Sequence, residues 1–371
     1  MRTPNINYII YFYMFICLTL LFFNIAYIFY MKIRQFIQDG RSRRWETELE
    51  RIWNEEECTN QMMRQHRRRL RRKLKRTNQL IAYNNVMERC LGNGGVSDYL
   101  KDCYEDFLAL AVEYGTRSAM ERAFFAYVIL LYHPYMGTFR KQMVNILLKY
   151  MDNATVYCRE NVLHALYSIG DAVAVEHAFT FLDNRGLYHS SKLISDGLMT
   201  YRGDKEELAW RLWQNCHMWN ESLVIAVIQF VTQLEADFSA EFFRELQREE
   251  TSIEQRFAYI RYFQRHVKPE LKGYLINCLE QYDRTNNRLA IAASTALGSY
   301  PGEDTRQALE QALRSRNWYV RKNSALSLIH IGIPETELEQ IYGRSDRYGK
   351  EILEYITKRQ FGASQGGEMS T

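Results

Sequence analysis

Residues 318–332 read WYVRKNSALSLIHIG, and residues 156–170 read VYCRENVLHALYSIG. Set side by side, Tyr319 matches Tyr157, Arg321 matches Arg159 and Asn323 matches Asn161; Leu328, Ile331 and Gly332 match Leu166, Ile169 and Gly170. Each copy is a helix-length apolar run ending on a glycine suited to a helix C-cap. A second apolar helix follows each, over 174–182 and 337–342. A looser copy runs from Arg288 to Ala293, continues through Ala296-Leu297-Gly298 and leads into a helix over 305–313. Weaker relatives lie around 122–131, 192–201, 223–234 and 256–263, with starts about 31–35 residues apart, a period that fits helix-pair repeats. Such a pair cannot bury its own apolar side, so neighbours must stack to build a continuous core.

These residues resemble HEAT-type repeats, most clearly over 288–313 and 318–342 and less so over 156–182. The resemblance covers about seven helix pairs. It implies an all-α fold, an α-solenoid over 98–357 with a curved, extended concave groove. It also implies that Arg159 and Arg321 tie repeats together rather than bind a ligand. Its message for function is general: a broad, non-catalytic surface for protein partners.

Outward from the repeats, residues 8–31 read YIIYFYMFICLTLLFFNIAYIFYM, without a charged residue. About 24 residues at 1.5 Å each give roughly 36 Å of helix, enough to cross a bilayer core. The run exceeds a signal-peptide h-region of about 7–15 residues, and it ends on Tyr30-Met31-Lys32-Ile33-Arg34 without small residues for cleavage. Tyr8, Tyr27 and Tyr30 suit interfacial belts, and Asn24 is the one strongly polar residue inside. Lys32, Arg34, Arg41, Arg43 and Arg44 follow the span, whereas only Arg2 precedes it. The positive-inside rule therefore predicts a short outer tail over 1–7, a single-pass helix over 8–31 in the cell membrane, and a cytoplasmic C-terminal domain.

The net charge of +4 conceals two halves. Through Leu80 there are 16 Lys/Arg against 7 Asp/Glu, and 32 against 37 thereafter. The cationic excess belongs to a juxtamembrane helical segment, 32–90, in which Trp45, Leu49, Ile52 and Trp53 form a narrow apolar stripe. Its densest part carries Arg67, Arg68, Arg69, Arg71, Arg72, Lys73, Lys75 and Arg76. These eight are the candidate contact with anionic lipid headgroups or an acidic partner. Nucleic-acid binding and a merely solvated helix face are the competing readings, and Glu55-Glu56-Glu57 upstream offers an internal partner for the run. Leu91-Gly92-Asn93-Gly94-Gly95 reads as a break before the main domain, and 358–371 as a flexible tail.

No catalytic, cofactor-binding or metal-binding set is expected. The eight histidines are spread singly, without H-E-x-x-H or Cys/His ligand spacing. Seven cysteines without a C-x-x-C pair suit a reducing compartment. Ser190-Ser191-Lys192 reads as a helix start. Trp210, Trp213 and Trp219, near Cys216 and His217, read as one helix face turned to the core, and as a partner hot spot if exposed. Asn153-Ala154-Thr155 and Asn220-Glu221-Ser222 match the glycosylation tripeptide, which chance supplies often. Tyrosine is abundant at 26, suiting contact surface and packing equally.

The expectation is a non-enzymatic, membrane-anchored scaffold or adaptor that binds membrane-associated protein partners, such as a membrane enzyme or an envelope-biosynthesis complex, without a cofactor. Two alternatives stay open: a HEAT-like enzyme resembling DNA glycosylases or bilin lyases, and a sensor of lipid or nucleic acid using the arginine run.

Overall fold

The computed structural model describes residues 6–53, 59–92, 94–136, 141–280 and 287–365. Glu55-Glu56-Glu57, Cys58, Asn93 and most of the expected outer tail lie outside these described residues. Among the described residues every regular element is a helix. The chain forms two compact units, 1–169 and 170–371.

The first unit holds α1 (Ile6–Trp53), α2 (Asn60–Leu74), α3 (Thr77–Cys90), α4 (Gly94–Asp102), α5 (Tyr104–Gly115), α6 (Ala119–Tyr132), α7 (Lys141–Tyr150) and α8 (Val156–Ile169). The apolar stripe of 32–90 is a core face: Trp45 and Leu49 are buried, as are Leu70, Leu74 and Leu80. The Trp45 ring meets Tyr83, and Tyr83 in turn meets Phe107 of α5 and Tyr132 of α6. Aromatic contacts thus join the helices before the glycine-rich stretch to those after it. Farther along, α5 packs on α7 and α6 on α8.

The second unit holds α9 (Ala172–Asn184), α10 (Ser191–Leu198), α11 (Lys205–Cys216), α12 (Glu221–Val231), α13 (Ser239–Gln247), α14 (Ile253–Arg265), α15 (Lys272–Glu280), α16 (Asn287–Ala296), α17 (Glu303–Ala312), α18 (Trp318–His330), α19 (Glu335–Arg344) and α20 (Arg347–Gln365). Its even-numbered helices pack in succession, α10 on α12, α12 on α14, and so on to α18 on α20, while α9 meets α11 and α15 meets α17. Helix α20 runs through Gln365, into the stretch expected as a flexible tail.

The matched glycines have a backbone reason. Gly170 and Gly332 have φ of +76° and +87°, the left-handed geometry of a helix C-cap. At Gly332 the following amide, Ile333 N–H, donates to Leu328 O at 3.2 Å, closing the cap. A side chain at Gly170 would also meet the backbone of Gly203 at 3.0 Å. The matched arginines serve turns: Arg159 donates to Ala154 O and Arg321 to Ser315 O, each at 2.6 Å, holding the turn that leads into its own helix. Arg122 reaches farther, donating to the carbonyls of Asp152 and Asn153 ahead of α8.

A role for the tyrosines emerges that the sequence left undecided. Tyr114 Oη donates to Leu74 O at 2.8 Å, Tyr150 to Ala111 O at 2.5 Å, Tyr201 to Gly170 O at 2.8 Å and Tyr300 to Phe263 O at 2.8 Å. The partners are 31–40 residues apart, one repeat, and the accepting carbonyls lie at or near helix C-termini. Leu74 and Phe263 lie in a last helical turn and Gly170 just past one, where intrahelical donors are lacking, so there the hydroxyl caps the end of an earlier helix; at Ala111, one residue before the last turn of α5, the Tyr150 hydroxyl is an added donor. Tyr300→Phe or Tyr114→Phe should therefore lower stability by about 1–2 kcal/mol, by leaving a buried carbonyl unpaired. Urea titration in mild detergent reads this directly, and an unchanged midpoint would remove the capping role.

Candidate functional site

Helix α2 is amphipathic, with His66, Leu70 and Leu74 buried four residues apart. Thr59 caps its start by accepting from Met62 N–H. The opposite face therefore exposes Arg64, Arg68, Arg72 and, just past the helix, Arg76, again at intervals of four.

The eight candidate residues separate into two groups. Arg67 is bound to Asp106 at 2.5 Å, Lys73 to Glu48 at 3.1 Å, Arg69 to Glu48 at 3.6 Å, and Lys75 to Glu113 at 3.0 Å. Lys73 also lies 4.7 Å over the Trp45 ring. These four are held by the fold. Arg68, Arg71, Arg72 and Arg76 are exposed and meet no carboxylate among the described residues. Arg64, outside the expected set, joins them, and its four-residue spacing was the available clue.

Under this surface lies a buried polar chain. His66 bonds Glu48 through Nδ1 at 3.1 Å and Tyr99 Oη through Nε2 at 3.0 Å, and Tyr83 Oη donates to Tyr99 Oη at 3.1 Å. Burial pushes the Glu48 carboxyl up, but the bonds from His66 and Lys73 outweigh it and hold the group below its usual range. The ion pair is therefore complete at neutral pH and is lost only as pH falls through that depressed value. Arg44, Arg51, Gln65 and Arg69 line an open cleft beside it.

The position of this surface along α1 is fixed by hydrogen bonds. Gln38 Nε2 donates to Asn78 O at 3.0 Å and Ser42 Oγ to Ala82 O at 3.3 Å, so α3 runs parallel to α1 from the level of Gln38. Helix α2 starts a few residues after Trp53 and ends at Leu74, four residues before Asn78, so it runs back toward the apolar end of α1. In α1 itself, one stretch is long and apolar enough to cross a bilayer, and none of that stretch is buried. Asn24 donates to Leu20 O within the helix, which satisfies its amide locally.

The tryptophan cluster lies in the second unit and is mostly packed. Trp210 stacks on Phe238 at 4.0 Å, Trp213 meets Phe242 at 5.0 Å, and Trp219 meets Phe179 at 5.6 Å. Trp213, Cys216, His217, Arg248, Thr251 and Tyr259 help line a cleft of about 600 Å³. Burial pushes the Cys216 thiol up to about 12, so it stays protonated at neutral pH and is a poor nucleophile. Among the described residues no group of three or more His, Cys, Asp or Glu gathers at metal-binding distance. Ser190 precedes α10 as expected, and Lys192 pairs with Asp196 at 3.3 Å. Asn220 caps α12 and bonds Asp183, and Asn153 supplies a left-handed turn. Both sequon asparagines thus have structural work. No protein-family model matches the chain, and no curated protein matches it either.

Proposed function

We propose that this protein is a membrane-anchored scaffold that holds HEAT-like helix pairs at the cytoplasmic face of the membrane and binds other proteins through them. The observation that carries the reading is α1: one helix whose first half is apolar and unburied, and whose second half is core of a folded unit. An unburied stretch of that length is stable only in an apolar surrounding, so bilayer insertion is the natural use. Support for repeats comes from the succession of even-numbered helices and from the tyrosine bonds one period apart. The partner class is a membrane-associated protein or complex, for instance one assembling the cell envelope, and the exposed arginines add contact with anionic headgroups. The cleft beside Trp213 holds a protonated thiol and paired charges, a lining that fits binding.

Two measurements test this. A reporter fused after Thr371 should behave as cytoplasmic, and exoplasmic activity would reverse the orientation and the partner class. Gentle solubilisation followed by affinity capture of the full chain should yield a stoichiometric protein partner. Nucleic acid or a chromophore in its place would favour the enzyme or sensor alternatives.

A further inference from the structure

Helical register divides the arginine stripe of α2 by height above the membrane. We propose that only its C-terminal end, Arg72 and Arg76, joins Lys32 and Arg34 in a collar against the phosphates of anionic phospholipids. Arg64 and Arg68, on the same face, stand clear of the bilayer. The proposal rests on residues 8–31 being a membrane span.

Because α1 is one helix from Ile6 to Trp53, each position along it has a height. Gln38 lies about 10 Å beyond Met31 at 1.5 Å per residue. Between them Ile33, Phe36 and Ile37 are exposed, Phe36 by 79%. Three apolar side chains spaced 3 and 4 apart on a helix belong in the interfacial layer, which extends about 5–7 Å beyond the hydrocarbon edge. Lys32 and Arg34 share that layer.

The Gln38–Asn78 bond brings the α2–α3 turn to about 3–5 Å beyond the layer's outer boundary. Arg76 is two residues from Asn78, and Arg72 is about 3 Å farther up than Leu74 along α2. Both lie within one Debye length, about 8 Å, of the headgroups. Arg68 and Arg64 are about 9 and 15 Å above Leu74, more than one Debye length from the layer. Of the other cations at the lower level, Lys75 is held by an acid and Arg71 is not. Lys75 and Arg117 share Glu113, and Asp39 is the remaining exposed carboxylate nearby. Arg72 and Arg76 therefore face the phosphates with no carboxylate partner among the described residues.

The experiment uses the full chain in nanodiscs containing phosphatidylglycerol and phosphatidylcholine, with retained lipids counted by native mass spectrometry. Arg72→Gln with Arg76→Gln should cut the excess of retained phosphatidylglycerol at least about fivefold, since each cation near the surface contributes substantially. Lys32→Gln with Arg34→Gln should reproduce that loss. Arg64→Gln with Arg68→Gln removes the same charge from the same face and should leave retention unchanged. Equal losses from the upper and lower α2 pairs, or no loss from the lower pair, overturn the collar. Alkaline carbonate extraction separates this from the anchor itself: a chain released from membranes removes the span, whatever the lipid counts.

Discussion

Leu328→Asn is expected to destabilise the second unit by about 4 kcal/mol, from lost apolar burial, a residual cavity and an amide without partners. Leu328 is fully buried in α18, which packs against α16, α17 and α20. Since single domains have about 5–15 kcal/mol in hand, this variant should be near its unfolding threshold at ambient temperature. Leu297→Asn, fully buried in the preceding turn, should behave alike. Leu328→Met keeps volume and polarity and should cost less than about 1.5 kcal/mol. Urea unfolding followed by far-UV circular dichroism separates these outcomes. A near-neutral Leu328→Asn would mean that this face is not a core face.

Deleting Arg288 to Ser315 should have the largest structural effect with the mildest consequence for folding. The deletion removes α16 and α17, one period of the repeat. If the helix pairs are stabilised mainly by their neighbours, the pair beginning at α18 takes the vacated place and a shorter helical unit remains. Helicity per residue should be unchanged, and limited proteolysis should leave a resistant fragment. A chain that loses its helicity would show that the second unit is one indivisible core, and the scaffold reading would fall with the repeats.

How much of this could be read from the sequence depended on how local the physics was. The helix ends at Gly170 and Gly332, the buried leucines 297 and 328, and the apolar run 8–31 follow from composition within one turn or one helix. The apolar stripe through Trp45 and Leu49 was visible too. What it packs on was not, because Trp45 meets Tyr83 and His66 through contacts between helices far apart in sequence. In the arginine run, eight cations looked equivalent. Distance to Asp106, Glu48 and Glu113 is a tertiary property, and it withdraws Arg67, Arg69, Lys73 and Lys75 from free contact. The tyrosine bonds combined both problems: a residue count revealed the excess, but the accepting carbonyls belong to the backbone and leave no trace in composition.

With residues 8–31 proposed as a membrane span, helix α1 would pass from bilayer to folded unit without a joint, and that would make it a lever. Its portion from Met31 to Trp53 is about 33 Å long. A change of span tilt by about 10°, well inside the range that hydrophobic mismatch produces, would swing its far end by about 6 Å. A flexible linker would absorb such a motion, whereas here α2 and α3 are bonded along the rod and must travel with it. On that proposal, local membrane thickness would become a mechanical input, steering where the first unit's outer surface is presented to whatever it meets.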